Sequence, residues 1–329
     1  MDPNFLTTRQ ALDDGLTERE LRRARTEQRL VRIRRGAYLR GEDFTQLDAV
    51  AQHRALARAT AHASNPDAVL SHVSAAALHG LALWAVPLNK AHLTVNRAYG
   101  AKTARRRVLH ATSFDDSEWV LVGECRATSV ARTVVDLARS VDFERAVCVG
   151  DNALARKLVT FDELRVAVDS AHHRRGAPAA RRAVTFMTDR SESVGESRSR
   201  VLMKEAGLPM PLLNQWVFTP DGRCLGRVDF LFPDTGVIGE FDGEGKYSEF
   251  LRPGQTPRDV ALAEKYREDR MRELGWMFAR WNWRELSTPE VIARRLRDTF
   301  ERSTRSPLGS WSDSSNYGST HPRPTDHTG

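Results

Sequence analysis

The feature that most constrains this chain is a pair of apolar, β-prone runs that carry acids and are joined by a turn. The segment reads Arg223-Cys-Leu-Gly-Arg-Val-Asp229-Phe-Leu-Phe-Pro-Asp-Thr-Gly-Val-Ile-Gly-Glu240-Phe-Asp242-Gly-Glu-Gly-Lys246-Tyr. Pro233-Asp234-Thr235-Gly236 has the residue types of a turn. With Asp234 and Thr235 at the tip of a hairpin, Asp229 lies directly opposite Glu240, and opposed Cβ atoms on paired strands sit roughly 4.5–5.5 Å apart. Glu240 and Asp242 are two positions apart on a strand and share a face. The flanking Phe230-Leu231-Phe232 and Val237-Ile238 runs read as buried on both faces, and acids inside buried strands need partners. Clustered carboxylates raise one another's pKa unless a cation neutralises them. A hard divalent ion with oxygen ligands, Mg²⁺ or Mn²⁺, resolves that conflict. The alternative is a solvated hairpin face on which the acids meet only water.

The surrounding order of elements is equally specific. A helix is expected around Glu196-Ser-Arg-Ser-Arg-Val-Leu-Met-Lys-Glu, then a strand at Asn214-Gln-Trp-Val-Phe218 and a turn at Thr219-Pro-Asp-Gly222. The acidic hairpin follows. Next come a helix over Ala261–Gly275, an apolar strand over Trp276–Trp281, and a last helix after Ser287-Thr-Pro289, where proline suits the first turn. Asp229, the Glu240-x-Asp242-Gly motif, and the Glu264-Lys-x-Arg267-x-Asp-Arg…Leu-Gly-Trp…Arg-Trp…Trp stretch together resemble the PD-(D/E)xK nuclease superfamily. The similarity is greatest to the branch of very-short-patch repair endonucleases and the DUF559 domain, and it runs over residues 191–302.

That resemblance implies a restriction-endonuclease-like mixed sheet flanked by helices and metal-assisted phosphodiester hydrolysis. Asp229, Glu240, Asp242 and Lys246 are its implied catalytic set, with Glu196, Asp229, Glu240 and Asp242 around the metal. A bound Mg²⁺ polarises a phosphoryl oxygen and lowers the pKa of a bound water. Lys246 stands where the family often has His. It either acts on phosphate charge, as an electrophilic partner does, or only pairs with Glu244 or Glu249. Lys265 on the following helix is a second source of positive charge.

The first 44 residues have a separate character. A short Thr-capped helix over Phe5–Leu12 leads to a turn and to Thr17-Glu-Arg-Glu20, which fits a capping box. The helix that follows carries Leu16, Leu21 and Ala24 inward and Arg19, Arg22, Arg23 and Arg25 outward. Leu30-Val-Arg32-Ile-Arg34-Arg35-Gly36-Ala-Tyr-Leu then alternates like a strand and turns at Gly36. Helix, basic helix and basic hairpin make a winged helix-turn-helix plan, and Arg-Arg-Gly-x-Tyr resembles the N-terminal domain of AbiEi-type antitoxins. The resemblance implies a recognition helix in the major groove of double-stranded DNA with wing arginines on phosphates. Arg19, Arg22, Arg23, Arg32, Arg34 and Arg35 are the expected contacts. A solvated basic face on a small helical subdomain is the alternative.

Residues 45–185 look like the α+β body of AbiEi-like proteins. Leu70–Leu81 reads as a helix, His92–Val95 and Arg107–His110 as strands, and Thr128–Ala138 as an amphipathic helix. His72 and His79, seven apart, suit either a ligand pair or, more simply, packed or capping roles. His172-His-Arg-Arg-Gly-Ala-Pro178-Ala-Ala-Arg-Arg182 reads as a charged linker or DNA-facing loop. The Ser-, Thr-, Pro- and Gly-rich residues 303–329 bury too little apolar surface to order. At 329 residues the chain has room for more than one domain, and its net charge of +7 suits phosphate backbones. Cys125, Cys148 and Cys224 lack CxxC spacing, so neither a disulfide framework nor a zinc–cysteine site is expected. No apolar signal segment or membrane-length run is present, which places the chain in the cytoplasm with no membrane partner.

Overall fold

The computed structural model describes residues 5–97, 99–243, 256–304 and 306–313. The chain is α+β and forms two compact units, residues 1–189 and 190–329. The division falls where the sequence changes character, between residues 185 and 191. Among the described residues no helix is long and apolar enough to cross a membrane.

The first unit opens with β1 (Leu6–Thr7), α1 (Thr8–Asp13), α2 (Glu18–Thr26), β2 (Leu30–Arg34) and β3 (Ala37–Arg40). Both helices begin with capping boxes, Thr7 with Gln10 and Thr17 with Glu20. β2 and β3 pair antiparallel across Arg35-Gly36, where Gly36 takes φ 81°, and β1 completes a sheet of order β1-β3-β2. Leu21 and Ala24 are buried as expected. Leu16 is not: it precedes the Thr17 cap, lies outside the helical repeat and is 36% exposed. This N-terminal segment does not close a core of its own. Ile33, Ala37 and Leu39 pack with Ala55 and Ala59.

Those alanines belong to α4 (Ala49–His62), which follows the short α3 (Gly41–Gln46). Then come β4 (Val69–Leu70), α5 (His72–Leu78), β5 (Ala91–Val95), β6 (Lys102–Thr103), β7 (Arg107–Ala111), β8 (Trp119–Val122) and β9 (Cys125–Thr128). They form a six-stranded sheet of order β6-β7-β5-β4-β9-β8, with β5 parallel to β7 and β4 parallel to β9. Helices α6 (Val130–Ala138), α7 (Phe143–Ala155), α8 (Phe161–Ser170) and α9 (Ala177–Phe186) complete the unit. α9 corrects the expected loop around Pro178. Proline at the start of a helix gives up only an amide that has no helical acceptor, and the alanines behind it favour the helix.

The second unit runs α10 (Val194–Glu205), β10 (Leu212–Phe218), β11 (Cys224–Phe232), β12 (Val237–Asp242), α11 (Pro257–Glu273), β13 (Met277–Asn282) and α12 (Pro289–Arg302). Helix, three strands, helix, strand is the order read from the sequence. With an edge strand β14 (Ser310–Asp313), the sheet order is β13-β12-β11-β10-β14, antiparallel through β10, β11 and β12 and parallel between β12 and β13. The edge strand β14 (Ser310–Asp313) lies in the segment expected to be unordered. It pairs antiparallel with β10, and Arg190 anchors its Asp313 by an ion pair. Backbone pairing needs no apolar content, so composition does not reveal it; the rest of the tail, from residue 314, lies outside the described residues. One face of the sheet packs Phe230, Phe232, Phe241 and Trp281 with Met203 of α10 and Leu296 of α12. The other packs Val217, Leu231 and Ile238 with Met271 of α11. The result is a helix–sheet–helix sandwich.

Candidate active site

The acidic hairpin forms in the expected register. Phe230 pairs with Gly239, Leu231 with Ile238 and Phe232 with Val237, so one further step sets Asp229 across from Glu240. The tip differs in detail: Pro233–Thr235 make a single 3-10 turn closed by Gly236 at φ 63°. Asp229 Oδ2 accepts the Phe241 N–H at 2.9 Å. Glu240 is 6% exposed. Burial first, and the Asp229 charge second, raise its carboxyl pKa from 4.5 to about 7 against the pull of Arg267 and Arg280. Ionisation costs energy in this setting because two carboxylates share a poorly solvated patch.

Glu196 enters the same patch from the first turn of α10. Its pKa is also raised, by burial and then by Asp229. Its oxygens are already held by the Glu192 N–H at 2.9 Å, the Ser193 hydroxyl at 2.8 Å and the Asn214 amide at 3.1 Å. Asp229 is therefore the charge to which both Glu240 and Glu196 respond.

Two arginines stand among these acids. Arg267 of α11 reaches Glu240 at 3.1 Å and Glu264 at 2.5 Å. Arg280 of β13 lies 3.5 Å from Asp242, 3.0 Å from Glu264 and 2.9 Å from Glu268. The sequence implies one metal cation here; the fold also brings two guanidinium groups to the acids. It also brings the acids together only in part. Among the described residues, the set of three ligand-type side chains whose donor atoms lie within 4.8 Å of one another is not this one but His72, His92 and His110. The oxygen donors at Asp229 and Glu240 are of the kind Mg²⁺ takes, whereas Asp242 has turned toward Arg280. Lys246 lies outside the described residues. Lys265 is exposed on α11, and Arg267, two positions on, is the α11 cation that meets Glu240. Arg267 was already visible in the Glu-Lys-x-Arg stretch, but which of two neighbouring cations faces the sheet depends on the helix phase.

The basic N-terminal face is partly as expected. Arg19, Arg22, Arg23, Arg32 and Arg35 are exposed, although Arg23 is bound to Glu27 at 2.7 Å. Arg34 is different. It is half-buried and donates to the Ala59 carbonyl of α4 at 2.8 Å, which makes it a tie within the unit rather than a surface contact.

The histidines also regroup. His79 does not pair with His72; its Nε2 meets the Thr128 carbonyl at 2.8 Å. His72 instead stacks on His110, ring centroids 3.8 Å apart and 12° from parallel. His92 Nδ1 lies 3.1 Å from His110 Nε2. Spacing along the chain gave no sign of this trio, because its members come from α5, β5 and β7.

The second unit's fold thus defines a class: a mixed sheet between helices with acids across one hairpin. No family model matches the chain. Over 150 residues the chain is 35% identical to two Mycobacterium tuberculosis proteins, the uncharacterized proteins MT2308 (strain CDC 1551 / Oshkosh) and Rv2248 (strain H37Rv). The match takes in 46% of this chain and 52% of each relative, so the chain spans about half the length of the curated relatives it matches. Among solved structures, the crystal structure of the Rv2827c protein from Mycobacterium tuberculosis aligns with a TM-score of 0.38 and 14% identity, over 67% of this chain and 85% of that chain.

Proposed function

We propose that the chain is a cytoplasmic, DNA-binding protein whose C-terminal unit is a metal-dependent endonuclease. The observation that carries this reading is Asp229 across from Glu240, whose carboxyl is raised to about 7 by burial first and by the Asp229 charge second. A divalent cation relieves that repulsion. Asp229 and Glu240 hold Mg²⁺ or Mn²⁺, with Asp242 and Glu196 acting through water and Lys246 on the phosphate. When bound, the metal polarises the phosphoryl oxygen and lowers the pKa of a bound water. The exposed Arg19, Arg22, Arg32 and Arg35 meet duplex phosphates and position the substrate.

The test is cleavage of plasmid and single-stranded DNA with Mg²⁺ or Mn²⁺, beside calorimetric metal titration. Asp229→Ala and Glu240→Ala each abolish cleavage and most metal affinity while circular dichroism stays unchanged. Undiminished cleavage by both variants removes the proposal.

A second reading, an antitoxin-type transcriptional regulator with a silent nuclease-like domain, is favoured by the Arg267–Glu240 and Arg280–Asp242 ion pairs. These neutralise acids without a metal. Duplex binding by a folded protein that neither takes up Mg²⁺ nor cuts DNA selects this reading.

A further inference from the structure

We propose that His72, His92 and His110 in the first unit bind a divalent transition-metal ion, Zn²⁺ in the simplest case. One ligand nitrogen from each ring lies within 4.8 Å of the others. The His92 Nδ1 to His110 Nε2 separation is 3.1 Å. Two nitrogens bound tetrahedrally at 2.0–2.1 Å from zinc sit about 3.3 Å apart, so this pair already has ligand spacing. The third ring, His72, is stacked on His110, and its Nδ1 lies 3.0 Å from the Ser71 hydroxyl, which an ion would have to displace if it took that nitrogen.

The scaffold around the trio is rigid. His92 and His110 project from neighbouring parallel strands in which His92 pairs with Val108 and Thr94 with His110, so both rings leave one face of the sheet. His72 begins α5, which packs on that sheet. Its backbone has φ 51°, a left-handed conformation unfavourable for a residue with a side chain. The fold holds a strained residue where the three rings meet.

The chemistry is selective. Imidazole nitrogens without a carboxylate in the set suit Zn²⁺, Ni²⁺ or Cu²⁺ and not Mg²⁺. Burial leaves all three rings neutral, the form that ligates: His72 and His92 are lowered to about 3, and His110 is lowered as well. Asp136 faces His72 and His110 and is held by Arg132 at 2.7 Å and Arg139 at 2.8 Å. Its charge acts on both rings more strongly than the opposing charge of Arg139. His92 and His110 are half-buried and His72 is buried.

The experiment uses the full chain, stripped with chelator, titrated with Zn²⁺ by calorimetry in excess Mg²⁺. Wild type takes up one Zn²⁺ per chain and gains thermal stability. His92→Gln and His110→Gln each weaken binding at least about tenfold, since even outer-shell changes at such sites cost 10–100-fold. His172→Ala/His173→Ala and Asp229→Ala leave it unchanged, which separates this site from surface histidines and from the acidic hairpin. If a Gln variant fails to fold, Co²⁺ added to wild type decides: visible ligand-field bands without a thiolate charge-transfer band support the site. Absence of those bands, absence of saturable Zn²⁺ uptake, or equal affinity in the folded Gln variants overturns it.

Discussion

Glu240→Gln is the substitution on which the electrostatic reasoning can be judged most directly. The raised carboxyl pKa means that the folded chain binds this proton more tightly than the unfolded chain does. The stability contributed by protonated Glu240 is fully present below the unfolded value of 4.5 and is lost as pH rises through about 7. At about 1.4 kcal/mol for each pKa unit, the ionised side chain costs the metal-free fold about 3 kcal/mol in mildly alkaline solution and under about 1 kcal/mol near pH 5. Gln keeps the shape and removes the charge. Arg267 is not stranded by the change, because Glu264 still holds it at 2.5 Å. Urea denaturation in chelator therefore shows the variant more stable than wild type by about 2 kcal/mol more near pH 8 than near pH 5. On the endonuclease reading, Mg²⁺ then stabilises wild type by mass action and leaves the variant unmoved. A stability difference that is the same at both pH values refutes the claim that Asp229 and burial hold Glu240 at an elevated pKa.

Three further outcomes concern the first unit. Replacing Arg19, Arg22, Arg32 and Arg35 with Ala lowers duplex affinity and flattens its salt dependence by about 0.9 in the log–log slope for each phosphate that is no longer neutralised, measured by fluorescence anisotropy across salt concentrations. Arg34→Ala, by contrast, removes the hydrogen bond to Ala59 and lowers the unfolding free energy by about 1 kcal/mol while leaving the slope alone. Asp136→Ala leaves Arg132 buried with Glu118 as its remaining ion-pair partner. It destabilises the unit by about 3 kcal/mol in urea denaturation, the lower end for breaking a buried pair.

What the sequence made legible follows from how far each signal reaches along the chain. The capping box at Thr17 and the hairpin register at Asp229 and Glu240 are set by residues within a few positions of one another, and they form as read. The helix–three strands–helix–strand order is carried by local punctuation, and it too is present. What failed depended on contacts between distant segments. Arg34 reads as a surface cation until α4 brings the Ala59 carbonyl to it. The tail reads as unordered until β10 offers an edge to Ser310–Asp313. The His trio joins residues from three elements spread over 39 positions, from 72 to 110, with no motif linking them.

The same distinction applies to the acidic hairpin. Its geometry is local to one hairpin, whereas its neutralisation is tertiary, supplied by Arg267 from a helix and Arg280 from a strand beyond the segment that carries Lys246. The placement of those arginines leaves the site with two ways to balance its charge. One is internal and closed, with each guanidinium on an acid. The other, which the endonuclease reading requires, has Arg267 keep only Glu264, and Arg280 only Glu264 and Glu268, so that neither guanidinium holds Glu240 or Asp242. Because Glu264 serves both arginines, at 2.5 and 3.0 Å, it is the group that can retain them when the acids are released. On the endonuclease reading a divalent ion competes with the guanidinium groups for these carboxylates; on the regulator reading the internal ion pairs persist.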